Sequence, residues 1–150
     1  MGDLKPINTT TAEGVSTITL AAVPENFAAA QEQVRSFLDS ASCSMRTLFE
    51  LDMVVEEIFI NVASYAYPDG AGTVSLDLAI DREQNFLYLT FRDSGVPYDP
   101  LRKQSPDLSA PAEKRPIGGL GIFLVQKYSD SLSYEYAEGE NRLTIGKKLA

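Results

Sequence analysis

The chain contains no histidine and a single cysteine, Cys43. Without histidine there is no Ser-His triad, no His-ligated zinc and no phospho-accepting imidazole. One cysteine excludes an internal disulfide and fits a reducing, cytoplasmic setting, with Cys43 read as a small residue near a helix start. Basic charge is scarce as well: 13 Lys and Arg stand against 21 Asp and Glu, for a formal net charge of −8. Nucleic-acid binding draws on clustered Lys and Arg to neutralise phosphates, so direct nucleic-acid recognition is not expected. No apolar run approaches the roughly 18 residues of a membrane span. The first residues, MGDLKPINTTTAEG, lack an apolar signal core, and residues 1–14 are expected to be a flexible N-terminus. Any chemistry must rest on carboxylates, amides, glycine backbone or a bound ion.

What remains is a chain of 150 residues with 44% hydrophobic content, the size and composition of one globular domain over residues 15–150. VSTITLAA (15–22) reads as a strand rich in Thr, Val and Ile. Pro24 opens a helix to about residue 40, with Phe27, Ala30, Val34, Phe37 and Leu38 on one face. A longer helix over 45–66 carries Leu48, Leu51, Val55, Ile58 and Val62 at spacings of three and four, and Tyr67-Pro68-Asp69-Gly70 ends it. Alternation from Val74 to Ile80 gives a half-buried strand, and NFLYLTFRDSG (85–95), apolar on both faces, gives a central one, the two joined as an antiparallel hairpin. Residues 97–117 hold five prolines and little periodicity, the composition of a lid or binding loop. A third helix follows, then strands at 131–137 and 141–150 around a turn at EGEN. The fold class is α+β: a two-layer sandwich with a mixed, mostly antiparallel sheet and helices on one face.

Three stretches carry chemistry. On the long helix, Glu50, Glu57, Asn61 and Ser64 share a stripe opposite the apolar one, with no Lys or Arg between 47 and 66. Such a stripe is either a solvated helix face or a hard-cation site, since a carboxylate and an amide four residues apart present oxygens to the same region. Asp93-Ser94-Gly95, at a strand end, is either an ordinary turn or a carboxylate placed to accept from an amino group such as that of adenine. In RPIGGLGIFLVQKYSD (115–130), Gly118, Gly119 and Gly121 occupy three of four positions where a helix starts. They serve either a tight helix entry or an anion, to which exposed N–H groups and the helix dipole are favourable. No Gly-Lys-Ser/Thr follows, so this is not a P-loop.

Glu-x-x-x-Asn on a helix, Asp-x-Gly at a strand end, a lid and Gly-Gly-x-Gly, in that order, resemble the GHKL ATP-binding superfamily with its Bergerat fold. DSGVPYDP, GGLGIFLVQKYSD and EGENRLTIGKKL further resemble the anti-sigma-factor serine/threonine kinases of bacterial partner switching, over about residues 15–149. That resemblance implies Glu57 as general base and Asn61 as ligand to Mg2+. Asp93 would bind the adenine of ATP, with room made by Gly95. Gly118, Gly119, Leu120 and Gly121 would lie at the phosphates, Arg115 would help neutralise them, and 97–117 would be the ATP lid. It further implies phosphorylation of a STAS-domain antagonist, sequestration of a sigma factor or other regulator, and a homodimer. The alternative is a non-catalytic nucleotide-binding switch module. The chain departs from many relatives at Tyr65, where they carry a histidine, and its lid follows no strict motif.

Overall fold

Alternation over 73–81 buries Val74, Leu76 and Leu78 and turns Ser75, Asp77 and Ala79 outward, and this pattern repeats across the sheet. The computed structural model of the chain describes residues 8–12, 14–102 and 119–150. Six strands form one sheet: β1 (Asn8–Ala12), β2 (Val15–Ala21), β3 (Thr73–Asp81), β4 (Phe86–Asp93), β5 (Ser131–Ala137) and β6 (Glu140–Lys148). Their order is β1-β2-β3-β4-β6-β5. Three helices, α1 (Phe27–Phe37), α2 (Met45–Tyr65) and α3 (Gly119–Tyr128), complete the α+β architecture.

Two details of the sheet go beyond the sequence reading. Part of the N-terminal segment expected to be flexible is strand β1, paired antiparallel with β2 from Asn8↔Thr19 to Ala12↔Val15. All ladders among the described residues are antiparallel, so the mixed, mostly antiparallel sheet that was expected has no parallel pair among them. The connection from β4 through α3 does deliver β5 parallel to β4, but β6 folds back between them and pairs with both. That return is tight. Glu138 and Gly139, at φ 54° and 78°, make a two-residue hairpin, so Glu140 and Asn141 belong to β6 and not to the turn. β4 is the central strand that its two-sided apolar sequence predicts.

The helices cover one face of the sheet. Pro24–Asn26 form a 3-10 turn leading into α1, and Ser44 caps α2 by accepting the Thr47 N–H at 3.1 Å. Val54, Val55 and Phe59 of α2 are fully buried against Leu76, Leu89 and Ile145, each such side chain contributing about 1.5–3 kcal/mol. The other face is polar and laced across strands: Thr17 with Asp77 at 2.7 Å, Thr19 with Ser75 at 2.8 Å, Thr90 with Thr144 at 2.9 Å, and Arg92 with Asp77 at 2.6 Å. No helix among the described residues is long and apolar enough to cross a membrane.

Glu50, the first member of the acidic stripe, is part of this framework. Arg46, exposed on the same helix, donates to Glu50 Oε2 at 3.2 Å, and a buried cation arrives from β6: Lys147, only 7% exposed, donates to Glu50 Oε1 at 2.6 Å and to the Tyr128 carbonyl at 2.5 Å. The bond to Lys147 holds the Glu50 carboxyl below its ordinary range. The stabilisation is therefore present above the usual glutamate pKa and lost as pH falls through the lowered one. Glu50→Ala leaves the ammonium uncompensated and is expected to destabilise the chain by about 3 kcal/mol in urea unfolding, with Lys147→Met costing less. Equal losses in the two variants would show that the cost lies in packing and not in a stranded charge.

Candidate functional site

The sheet and helices leave a cleft of about 520 Å³, counting its open mouth, between α2, the end of β4 and the start of α3. Ile58, Asn61, Val62 and Tyr65 line it from α2, Phe91 and Asp93 from β4, Ile122 from α3, and Tyr134, Asn141 and Leu143 from β5 and β6. An apolar pocket with a few converging polar groups is the usual form of a small-molecule site.

Asn61 and Asp93, 32 residues apart in sequence, meet here. Asp93 is 7% exposed. Burial pushes its carboxyl above the ordinary aspartate range, while bonds from Asn141 and from the Gly95 N–H pull the other way. Gly95 has a definite job. Its N–H donates to Asp93 Oδ1 at 2.9 Å, and a Cβ there would run into the carbonyl of Ala66, which already accepts the Val96 N–H at 2.9 Å. The space a side chain would need is thus taken by the end of α2. Tyr67 closes the same turn: its hydroxyl accepts the Ser94 N–H at 2.9 Å and donates to the Thr73 carbonyl at 2.5 Å.

Glu57 stands one helical turn before Asn61 and does not line the cleft itself. It is half-buried and makes no hydrogen bond or ion pair among the described residues. Burial, and to a smaller extent the adjacent Glu56, raises its carboxyl above the ordinary glutamate range. Glu56 is exposed, and Ser64 is exposed as well, so neither joins the cleft. The acidic stripe therefore divides into a structural member, Glu50, and a free, desolvated one, Glu57.

Gly119, Leu120 and Gly121 form the first turn of α3, whose next residue, Ile122, lines the cleft. The helix N-terminus thus abuts the cavity with glycines in its first turn. Arg115 and Gly118 lie outside the described residues, as does the expected lid from 103 to 117. For a magnesium ion the donor chemistry is suitable. The Asn61 amide has no hydrogen-bond partner among the described residues, and a hard cation that takes most of its oxygens from phosphate and water needs few from protein.

The sequence reading missed Asn141 and Tyr134. Asn141, 6% exposed, faces Asp93 across the β4–β6 ladder and bonds to it directly. The available signal was alternation: in NRLTIGKK, Asn141 shares its face with Leu143 and Ile145, and an amide on a buried strand face needs a partner.

Comparison with known proteins bears on the family. Residues 20–147 match the model of the histidine kinase-like ATPase domain. The serine/threonine-protein kinase BtrW of Bordetella bronchiseptica is 29% identical over 102 residues, covering 68% of this chain and 71% of BtrW. An anti-sigma F factor of Bacillus licheniformis is 25% identical over 118 residues, covering 79% of this chain and 80% of its own. The serine-protein kinase RsbW of Bacillus thuringiensis is 28% identical over 94 residues, 60% of this chain and 58% of its own. Among solved structures, the histidine kinase domain of the Erythrobacter litoralis EL346 blue-light-activated kinase shares the fold, with a TM-score of 0.52 at 16% identity over 93% of this chain and 70% of that one. The chain belongs to the histidine kinase-like ATPase domain family.

Proposed function

We propose that this chain is an ATP-dependent protein serine/threonine kinase of the anti-sigma-factor type. The observation that carries this reading is Glu57, a desolvated carboxylate with a raised pKa and no partner among the described residues, one turn from Asn61 at the cleft. Adenine is held at Asp93, and the triphosphate lies toward the first turn of α3, where N–H groups and the helix dipole favour an anion. Arg115 and Gly118, just ahead of that turn, belong to the phosphate-binding segment by family resemblance. Asn61 would hold magnesium through its amide oxygen, and the ion would supply neutralisation of phosphate charge. Glu57 accepts the proton of a substrate serine or threonine hydroxyl as its oxygen bonds to the γ-phosphorus and the bond to the β-phosphate oxygen breaks, giving ADP and a phosphoprotein.

The names of the relatives support the partner class, since kinases and an anti-sigma factor are both among them. The protein substrate in this reading is a STAS-domain antagonist, and the sequestered partner is a sigma factor or another regulator, bound by a cytoplasmic homodimer. Transfer of labelled γ-phosphate from Mg·ATP to STAS-domain proteins of the same genome tests it. Labelling of one such protein is expected. ATP binding without transfer to any of them would favour a nucleotide-dependent sequestering module, the reading that an anti-sigma name without kinase in it also suggests.

A further inference from the structure

A carboxylate at the end of a strand does not by itself read a base, because it can turn either oxygen toward the ligand. Here that freedom is removed by Asn141. Its Nδ2 donates to Asp93 Oδ1 at 2.9 Å and to the Val96 carbonyl at 2.9 Å. Its Oδ1 accepts the Tyr98 N–H at 3.0 Å and the hydroxyl of Tyr134. An amide has two N–H donors and two acceptor lone pairs, and all four are used. Exchanging its oxygen and nitrogen would set donors against donors at Tyr98 and acceptors against acceptors at Asp93 and Val96, so one orientation is fixed. Gly95 N–H adds a second donor to Asp93 Oδ1, whereas no described donor reaches Oδ2.

We propose that Asn141 is the positioning residue of the adenine subsite: its carboxamide engages Asp93 Oδ1 so that Oδ2 is presented to the 6-amino group, and it ties the 96–98 segment down as the adjoining wall. This deepens the proposed function and rests on ATP being the ligand. With its hydrogen bonds spent, Asn141 reads the base through Asp93. Tyr134 supports the same arrangement from β5, one step further out. The ligand class selected is a purine nucleotide carrying a 6-amino group.

Binding of Mg·ATP and of purine riboside 5′-triphosphate, which lacks only the 6-amino group, tests this in wild type, Asn141→Ala and Asn141→Asp. Wild type is expected to prefer ATP, and Asn141→Ala to reduce that preference by on the order of tenfold. Since removing four buried bonds can unfold the chain, the same-sized Asn141→Asp supplies the second arm. Its new carboxylate faces that of Asp93, and two such groups share one proton at low pH and repel once both ionise. Glu140 on β6, Tyr67 after α2, Tyr134 on β5 and Asp99 beyond β4 are the other titratable groups around the pair, and all are common to wild type. ATP affinity of Asn141→Asp is therefore expected to fall by on the order of tenfold more than wild type between about pH 5 and about pH 8. An unchanged nucleotide preference in Asn141→Ala, together with a wild-type pH profile in Asn141→Asp, overturns the role of Asn141 alone. Failure of wild type to bind ATP overturns the proposed function and this inference together.

Discussion

Replacing Glu57 with glutamine is expected to lower phosphoryl transfer to a protein hydroxyl by roughly 10²–10⁴-fold while Mg·ATP binding stays at its wild-type level. Glutamine keeps the size and polarity of the side chain and removes only the ability to accept a proton. Glu57 is suited to that task because burial, with Glu56 second, raises its pKa toward the working range. The rate in wild type should accordingly rise with pH through a midpoint above the ordinary glutamate value of about 4.3 and then level off, and that limb should vanish in the variant. The same shift sets the sign of a stability effect. A carboxyl whose folded-state pKa is raised stabilises the fold below its unfolded pKa, and this contribution disappears as pH rises through the folded value. At neutral pH the ionised Glu57 is thus a net cost, so Glu57→Gln should melt at the same temperature or higher. Loss of transfer in a protein that is no less stable separates a chemical role from misfolding. Glu56→Gln, on the exposed side of the helix, serves as control: it should keep transfer of the wild-type order, with the pH midpoint moved down because the neighbouring charge is gone. Wild-type transfer by Glu57→Gln would remove Glu57 from the chemistry.

Much of this was legible in the chain because the relevant signals are local. A period near 3.6 placed Glu57 and Asn61 on one side of α2, and the step from Phe91 to Gly95 marked the end of a central strand with Asp93 on it. What escaped was set by register between strands far apart in sequence. Asn141 follows a hairpin, where asparagine ordinarily reads as turn chemistry, and only the Asp93↔Asn141 pairing turns it into a partner of the carboxylate. Glu50 shows the converse. Arg46, four residues before it, is legible as its helical partner, but the buried cation, Lys147, crosses from β6 to meet it, 97 residues away. The strand β1 was hidden for another reason: NTTTA has no apolar alternation and lies in a segment whose composition suggests a loose terminus, yet its backbone pairs with β2 at the sheet edge.

Asp93→Asn is expected to weaken ATP binding by on the order of a hundredfold without unfolding the protein. The substitution is nearly isosteric, and the amide oxygen can go on accepting from Asn141 Nδ2 and the Gly95 N–H, both at 2.9 Å in the wild-type arrangement. Its nitrogen then takes the place of Oδ2, and a donor faces the donor hydrogens of the adenine amino group. The opposite orientation is no better, since it turns the amide nitrogen onto two N–H donors in a site that is 7% exposed. Either way one buried donor is stranded. Stability should survive, because burial already holds the Asp93 carboxyl above the ordinary aspartate range, and at neutral pH the ionised form opposes folding where a neutral amide does not. The base preference should also change direction. Inosine triphosphate carries a 6-keto oxygen that can accept from the new amide, so its affinity should rise relative to ATP. Calorimetric titration of both nucleotides into both proteins, alongside thermal unfolding, decides the matter. A variant that melts like wild type, loses ATP and gains inosine triphosphate locates adenine recognition at Asp93, whereas unchanged ATP affinity would move the base elsewhere in the cleft.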